Sequence, residues 1–214
     1  MPKRQNYRKG SKKKPQRKRF LIVVEGVVTE CEYINAIRRS LRLSSVAIKI
    51  ETGHTDPIGI VDSAKKLRKS ALKTDPYDEV WCVFDVEAKV TQNARRGLVE
   101  ALDSARRSGI SVGMSNPCFE IWLLWHREER PGYTTSEAAQ MRCQEIGITD
   151  AKDGKHIQTV DNLIKQDYPA ARERASGMND AHNRNQTTTP EDRNPSSGVY
   201  KLVDAILAAF PPRP

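Results

Sequence analysis

Short apolar runs alternate with segments of helical spacing along most of this chain. The run Phe20–Val24 is entirely apolar, and three further strand-like stretches lie at residues 44–51, 80–84 and 109–114. Between these runs the apolar residues recur every three or four positions, which is typical of amphipathic helices. Strands that alternate with helices predict an α/β fold, here a mostly parallel sheet of about four strands flanked by helices.

Capping signals place the starts of several helices. Thr29 and Glu32 have the spacing of a capping box, and Asp56-Pro57 places a cap before a proline at the first helical position. The pair Asn116-Pro117 has the same form and precedes the apolar segment CFEIWLLWH. We therefore predict helices that begin at these three points, with Asn116 as a cap.

The C-terminal third is predicted to be mainly helical. Helical spacing is present over residues 134–146 and 157–174, whereas residues 176–197 are polar and aperiodic and predict a long loop. A final apolar stripe from Val199 to Phe210 predicts a helix, and Asn194 and Ser196 are interpreted as its caps. The predicted organisation is an arm (1–19), an α/β core (20–130) and a helical extension packed on it (131–214).

The charge of the chain is concentrated in the arm. The formal net charge is +9, yet residues 1–19 contain ten Lys or Arg and no acid, so the remainder is close to neutral. Such a block is expected to be disordered when unbound and to contact nucleic-acid phosphates, with a solubilising tail as the alternative. The residues expected to bind nucleic acid are Lys12, Lys13, Lys14, Arg17, Lys18 and Arg19.

Several classes of protein are disfavoured. No apolar run is long enough to cross a bilayer and no secretory signal is present, so we expect a cytoplasmic protein without membrane contact. The four cysteines lack metal-binding spacing and are interpreted as thiols. Trp122 and Trp125 are interpreted as core residues rather than a stacking platform for bases.

Acidic residues follow two of the predicted strands. Glu25 follows the first strand, and Asp85 and Glu87 follow the third. Because ligands of open parallel sheets bind beyond the carboxyl ends of the strands, these carboxylates are expected to converge. Converging carboxylates suit Mg²⁺ or Mn²⁺, with Gly26 allowing a close approach of the backbone. The alternative is that the acids only end strands and cap the next helix.

Other polar residues are weaker candidates. Glu30 lies in the first turn of a helix, where the helix dipole alone accounts for it. Glu120 lies within an apolar helix and needs a partner, either a metal ion at the same site or an arginine. Asn116 is also considered as a ligand or phosphate contact.

The segments EGVVTE, FDVEA, NPCFEIWLLWH and NPSS together resemble the RloB family over roughly residues 20–210. The resemblance implies a TOPRIM-type, Rossmann-like core in which Glu25, Asp85 and Glu87 bind Mg²⁺ or Mn²⁺. It also implies nucleic-acid cleavage in bacterial anti-phage defence, beside a separately encoded AAA/ABC-type ATPase. It keeps a substrate role open for Asn194 and Ser196. This chain departs from the usual D-x-D pattern, since Glu87 replaces the second aspartate.

Three functions follow from these features. The first is a metal-dependent nuclease of DNA or RNA, in which Glu25, Asp85, Glu87 and Glu120 are the candidate catalytic residues. The second is a catalytically inactive nucleic-acid-binding or adaptor subunit of a defence complex. A primase-like nucleotidyl transferase ranks third, because no zinc-binding module or helicase segment accompanies the acids.

Overall fold

One five-stranded sheet organises the protein in the computed structural model, which describes residues 18–45, 47–86, 91–129, 132–158 and 163–211. The strands are β1 (Phe20–Val24), β2 (Ile48–Glu51), β3 (Glu79–Asp85), β4 (Ser111–Asn116) and β5 (Ser196–Ser197). Their order is β2-β1-β3-β4-β5, and only β5 is antiparallel to its neighbour. The predicted α/β fold with a mostly parallel sheet is confirmed. The fifth strand has two residues, too few for any periodicity in the sequence.

Helices cover both faces of this sheet. The α-helices are α1 (Thr29–Ser40), α2 (Pro57–Ala71), α3 (Gln92–Arg107), α4 (Glu120–Leu124), α5 (Ser136–Glu145), α6 (Tyr168–Arg184) and α7 (Val199–Ala209). A π-helical turn, Leu163–Asp167, precedes α6, and a 3-10 turn, Pro190–Asp192, lies before β5.

Alternate side chains of β1 enter two separate hydrophobic clusters. Phe20, Ile22 and Val24 pack on one face with residues of α1, α4, α6 and α7. Leu21 and Val23 pack on the other face with α2 and α3. Because successive side chains of a strand point to opposite faces, a strand covered on both sides must be apolar throughout. This explains the uninterrupted run FLIVV.

The first turn of α1 is not closed by the predicted capping box. The residue before the helix is Val28, and no side chain caps the helix. The Thr29 hydroxyl donates to the carbonyl of Lys155 (2.9 Å), while Glu32 accepts from Ile157 N and contacts His156 Nδ1 (both 2.7 Å). These two side chains therefore hold the segment 155–157 against α1, and the capping-box prediction is wrong. By contrast, Asp56 accepts a hydrogen bond from Gly59 N (2.9 Å) and caps α2 as predicted.

Two boundaries in the second half also differ from the predictions. Asn116 is the last residue of β4, and α4 begins only at Glu120, so Asn116 is not a helix cap. The helix α6 continues to Arg184, and the predicted loop over 176–197 is therefore helical in its first part. Inside this region, Asn179 donates to Ser197 O (2.8 Å) and His182 contacts Pro195 O (2.9 Å). Asn179 and His182 thus bind the loop that follows α6.

The predictions for the tryptophans and cysteines are confirmed. Trp122 and Trp125 are fully buried in the core. None of the four cysteines, all of which lie within the described residues, forms a disulfide. No helix in the described part of the chain is long and apolar enough to cross a membrane.

Candidate active site

The ends of β1 and β3 bring Glu25 and Asp85 together. These strands are parallel neighbours, and Glu25 N donates to Val83 O (3.0 Å), which extends the pairing past the end of β1. The Glu25 Oε2 atom accepts from the backbone N–H of Asp85 at 3.0 Å. The predicted convergence of these two acidic residues at the carboxyl edge is therefore observed.

Glu30 joins them from the first turn of α1. Its side chain is 6% exposed, and its Oε1 accepts from Gly26 N (3.1 Å). The carboxylate lies directly on Gly26, where any Cβ would overlap it. A side chain at position 26 would therefore displace the Glu30 carboxylate. Burial, with smaller effects of the Glu120 and Glu25 charges, raises the pKa of Glu30 to about 7.

Glu120 completes the cluster from the first turn of α4. It is 7% exposed, and its charge acts on both Glu30 and Asp85. Burial raises the pKa of Asp85 well above its usual range, and the charges of Glu30, Glu120 and Glu25 raise it further. A hydrogen bond from the backbone N–H of Phe119 opposes this rise. We refer to Glu25, Glu30, Asp85 and Glu120 as the acidic cluster.

One oxygen of the acidic cluster is left without a partner. Asp85 Oδ1 is buried and accepts no hydrogen bond from the residues that the structure describes. A buried carboxylate oxygen without a donor is costly unless the group is protonated or binds a cation. This orphaned atom and an all-oxygen donor set fit a hard divalent cation.

The present arrangement of the acidic cluster is not that of a closed coordination shell. Among the described residues, no three His, Cys, Asp or Glu side chains are gathered closely enough to hold one ion. Two of the carboxylates instead each accept from a backbone N–H, Glu25 from Asp85 and Glu30 from Gly26. Glu87, the second acid of the predicted D-x-E pair, lies outside the described residues.

A buried Tyr–His pair fixes α1 against α4, the helices that carry Glu30 and Glu120. His126 Nδ1 is 2.9 Å from Trp122 O, and its Nε2 is 3.1 Å from the Tyr33 hydroxyl. Because a carbonyl only accepts, Nδ1 carries the proton and Nε2 accepts from Tyr33. Burial lowers the pKa of His126 to about 4, so the imidazole is neutral. His126 therefore serves to hold α1 in place against α4.

Asn116 and Asn194 form a clasp beside the site, not the predicted helix caps. Asn194 Nδ2 donates to Asn116 Oδ1 (3.1 Å) and Thr134 O (2.9 Å), and its Oδ1 accepts from Thr134 N (2.9 Å). Asn116 Nδ2 donates to the carbonyls of Pro190 and Glu191 at 2.9 and 3.0 Å. Ser196 pairs with Asn116 in the sheet, and α7 begins without a side-chain cap. The clasp thereby joins the end of β4, the backbone at Thr134 and the segment 190–194.

Replacing Asn194 with alanine is expected to destabilise the protein by about 1–3 kcal/mol. The change leaves Thr134 N–H, Thr134 O and Asn116 Oδ1 without their amide partner. Urea denaturation measures the difference, with Gln140→Ala on the exposed face of α5 as the control. Equal stability of the two variants would contradict a structural role for the clasp.

The root of the basic arm lies at the opposite edge of the sheet from the acidic cluster. Lys18 Nζ is 3.5 Å from Glu79, and Arg19 pairs with Asp75 (3.1 Å) and stacks on Tyr77. All of these residues are at the amino ends of β1 and β3. Lys12, Lys13, Lys14 and Arg17 lie outside the described residues, and nucleic-acid binding by the arm stays a prediction.

Comparison with known proteins agrees with the resemblance seen in the sequence. A family model described as RloB-like protein matches residues 20–206, which includes the whole acidic cluster. None of the curated proteins matches this chain.

Proposed function

This chain belongs to the family of RloB-like proteins, and we propose that it is a divalent-metal-dependent nuclease. In this proposal it hydrolyses phosphodiester bonds of DNA or RNA as an effector of bacterial anti-phage defence. The observation that carries the proposal is the acidic cluster at the carboxyl edge of the sheet, with an orphaned buried oxygen on Asp85. The charges of these carboxylates act on one another unfavourably, and such an arrangement is retained where a cation or proton transfer uses it.

The cation that suits this donor set is Mg²⁺ or Mn²⁺. Asp85 would hold it, with Glu25 and Glu120 contributing from the neighbouring elements, and Glu87 as a further ligand expected from the sequence. Bound there, the ion would neutralise charge on the scissile phosphate and lower the pKa of a water molecule.

The protein's own groups supply orientation and proton transfer. The Phe119 N–H and the pairing of β3 with β4 hold Asp85 in place, and its Oδ1 is buried without a hydrogen-bond donor among the described residues. Without a cation the pKa of Glu30 is about 7, and a divalent ion bound nearby would lower it, so that Glu30 would be ionised at neutral pH and able to accept a proton. We therefore assign Glu30 the role of proton acceptor, while Asp85 and Glu25 are the principal ligands.

The direct test is metal-dependent cleavage by the purified full chain. Labelled DNA and RNA, each single-stranded and paired, are incubated with Mg²⁺, with Mn²⁺ and with EDTA. Cleavage of at least one polymer that requires the divalent ion is the expected result. Absence of metal-dependent cleavage of both polymers would contradict the nuclease proposal.

A second candidate function is a catalytically inactive nucleic-acid-binding or adaptor subunit. The observation that favours it is the absence, among the described residues, of any three ligand side chains close enough to hold one ion. The basic residues 1–19 would then supply binding through phosphate contacts. Salt-dependent binding of the same labelled strands without cleavage would distinguish this function from the first.

The remaining proposals concern the cellular setting. Nucleic acid is the proposed macromolecular partner, and the family resemblance supports a separately encoded AAA/ABC-type ATPase as a second one. Cytoplasmic action is proposed because nucleic acid is the substrate. Co-purification of the chain with the product of a neighbouring ATPase gene tests the second partner.

A further inference from the structure

The ends of α2 and α3 lie together at the amino edge of the sheet, beside the root of the basic arm. Each of these helices follows a parallel strand and returns along the sheet, so its last turn lies where the strands begin. Arg68 in the last turn of α2 donates to Ser108 O at the end of α3 (2.7 Å), and Asp75 beyond α2 pairs with Arg19 (3.1 Å). The two helix ends and the root of the arm therefore form one continuous surface.

Acidic side chains of this surface are engaged by basic residues of the same surface. Their contacts are Asp75 with the Arg19 side chain, Asp78 with Arg19 N, Glu79 with Lys18, and Asp103 with Arg106. These acids hold the root of the arm and the end of α3 in place. Their charges are therefore balanced within the protein.

Four further cations of the surface are exposed and form no ion pair with any of the described residues. They are Lys66, Lys69, Lys73 and Arg107, and we refer to them as the basic patch. The three lysines are three and four positions apart, so they share one face of α2 and of the turn that follows it. The helix dipole favours a cation in the last turn, which accounts for Lys69 but not for Lys66.

The acids outside the described ranges belong to other parts of the molecule. They are Glu87 and Asp161. Glu87 comes two positions after β3 ends at the carboxyl edge, and Asp161 precedes the π-helical turn, whose Ile164 packs on the opposite face of the sheet from α2 and α3. By contrast, residues 1–17 join the described chain at Lys18 and contain no acid. The arm therefore adds only positive charge beside the basic patch.

We infer that the basic patch and the arm together bind the phosphate backbone of nucleic acid at the amino edge, away from the acidic cluster. The inference rests on the proposed binding of nucleic acid and specifies how the polymer is held. Lysine and arginine on exposed stems make the phosphate contacts of nucleic-acid-binding proteins, whereas lysine is depleted in interfaces between proteins. Because phosphates are common to all sequences, this binding is independent of base sequence and weakens with salt.

The helix α2 connects the basic patch with the acidic cluster. Its first residues, Pro57 and Ile58, line a cleft together with Glu25 and Asp85. The helix has 15 residues and is therefore about 22 Å long, with the basic patch toward its other end. A nucleic acid longer than this distance can contact the basic patch and the acidic cluster at the same time.

The test is the salt dependence of binding by a variant that combines Lys66→Ala, Lys69→Ala and Lys73→Ala. Alanine favours the helix, so the fold is retained. Labelled DNA and RNA of about 20 nucleotides are titrated in EDTA from about 50 to about 200 mM salt. At the lower salt concentration Kd should rise on the order of tenfold. The slope of log K against log salt should become shallower by about 2–3, because three phosphate contacts are lost.

The matched control combines Lys152→Ala, Arg184→Ala and Lys201→Ala. It removes the same charge from three exposed positions outside this surface, in the turn after α5, at the end of α6 and in α7. Its Kd and salt slope should stay close to those of the wild type. Lysine-to-arginine changes at all three positions of the basic patch should also preserve binding, since arginine contacts phosphate equally well.

Equal losses of binding in the two alanine variants would attribute the effect to net charge and overturn the assignment. Unlabelled poly-glutamate is the competitor, and displacement of the oligonucleotide as effective as that by nucleic acid of equal charge would overturn it in favour of an acidic protein. Cleavage in Mg²⁺ is measured separately. If cleavage is absent but the patch variant alone loses binding, the nuclease proposal fails and the basic patch is supported. If cleavage occurs but the patch variant binds like the wild type, the patch assignment fails alone.

Discussion

Replacing Asp85 with asparagine is expected to reduce metal-dependent cleavage by on the order of a thousandfold while making the metal-free protein more stable at pH 8. The loss of activity follows because an amide is a far weaker ligand for Mg²⁺, and a bound ion contributes several kcal/mol to phosphate-ester cleavage. The gain in stability follows because burial and the other carboxylates raise the pKa of Asp85, so its ionised form is costly. Asparagine keeps an oxygen that can accept from Phe119 N–H.

The measurements are initial cleavage rates in Mg²⁺ and thermal melts in EDTA. Asp62→Asn is the matched control, because Asp62 is an exposed aspartate on α2 that pairs with Lys65 (2.9 Å). It should leave both the rate and Tm nearly unchanged. An Asp85→Asn protein that is folded and cleaves at the wild-type rate would exclude Asp85 as a metal ligand.

Stability without metal is expected to fall as the pH rises from 4.5 to about 7, because of Glu30. Burial raises the pKa of this carboxyl from its ordinary value of 4.5 to about 7. Between these two values the folded protein binds more protons than the unfolded chain, so the free energy of unfolding decreases with pH. The destabilisation caused by ionising the buried Glu30 is absent below pH 4.5 and reaches its full value above about pH 7. This full value is about 3 kcal/mol.

Thermal melts in EDTA across this pH range measure the effect, which corresponds to a change in Tm of roughly 6–12 °C. Above pH 7, Glu30→Gln should be more stable than the wild type, because glutamine carries no charge and can still accept from Gly26 N. Its stability should also lack the pH dependence that Glu30 causes. The difference in Tm between wild type and variant is the decisive quantity, because titrating groups that do not interact with Glu30 cancel in it. Asp85, whose pKa the Glu30 charge raises, adds to the difference with the same sign. A constant difference from pH 5 to pH 8 would show that Glu30 does not titrate in this window.

The sheet and two acids of the cluster were predictable because they depend on local pattern. The run FLIVV is apolar throughout since both faces of β1 are covered, and Glu25 and Asp85 each follow a buried strand. In parallel neighbours the strand ends necessarily meet at one edge. The meeting of Glu25 with Asp85 therefore follows from chain order and topology alone.

The sequence pattern indicates that Glu30 is buried, although the helix dipole offers a competing explanation for an acidic residue at this position. Glu30 precedes Tyr33, Ile34 and Ile37 by three, four and seven positions, which places it on the apolar stripe of α1. An acid on a core-facing stripe indicates burial, and the structure bears this out.

The clasp and the length of α6 could not be derived in the same way. Asn116 and Asn194 are 78 positions apart, and each Asn-Pro pair has the local appearance of a cap. The inner face of α6 contains small and polar residues, such as Ala171, Ala175 and Asn179, so it has no marked apolar stripe. In both cases the partners are distant in sequence, and only the folded chain identifies them.

If the arm and the acidic cluster bind the same nucleic acid, as proposed, the distance between them sets a minimum length for that ligand. Lys18 is at the amino edge of the sheet and Glu25 at the carboxyl edge, so β1, roughly 17 Å long, lies between them. A nucleic-acid strand that contacts Lys18 and the acidic cluster together must bridge this distance, which is about five nucleotides of a duplex strand at 3.4 Å each and fewer of an extended single strand. Dinucleotides therefore report only on the chemistry of one edge, and longer oligomers are required before both edges can contribute to affinity.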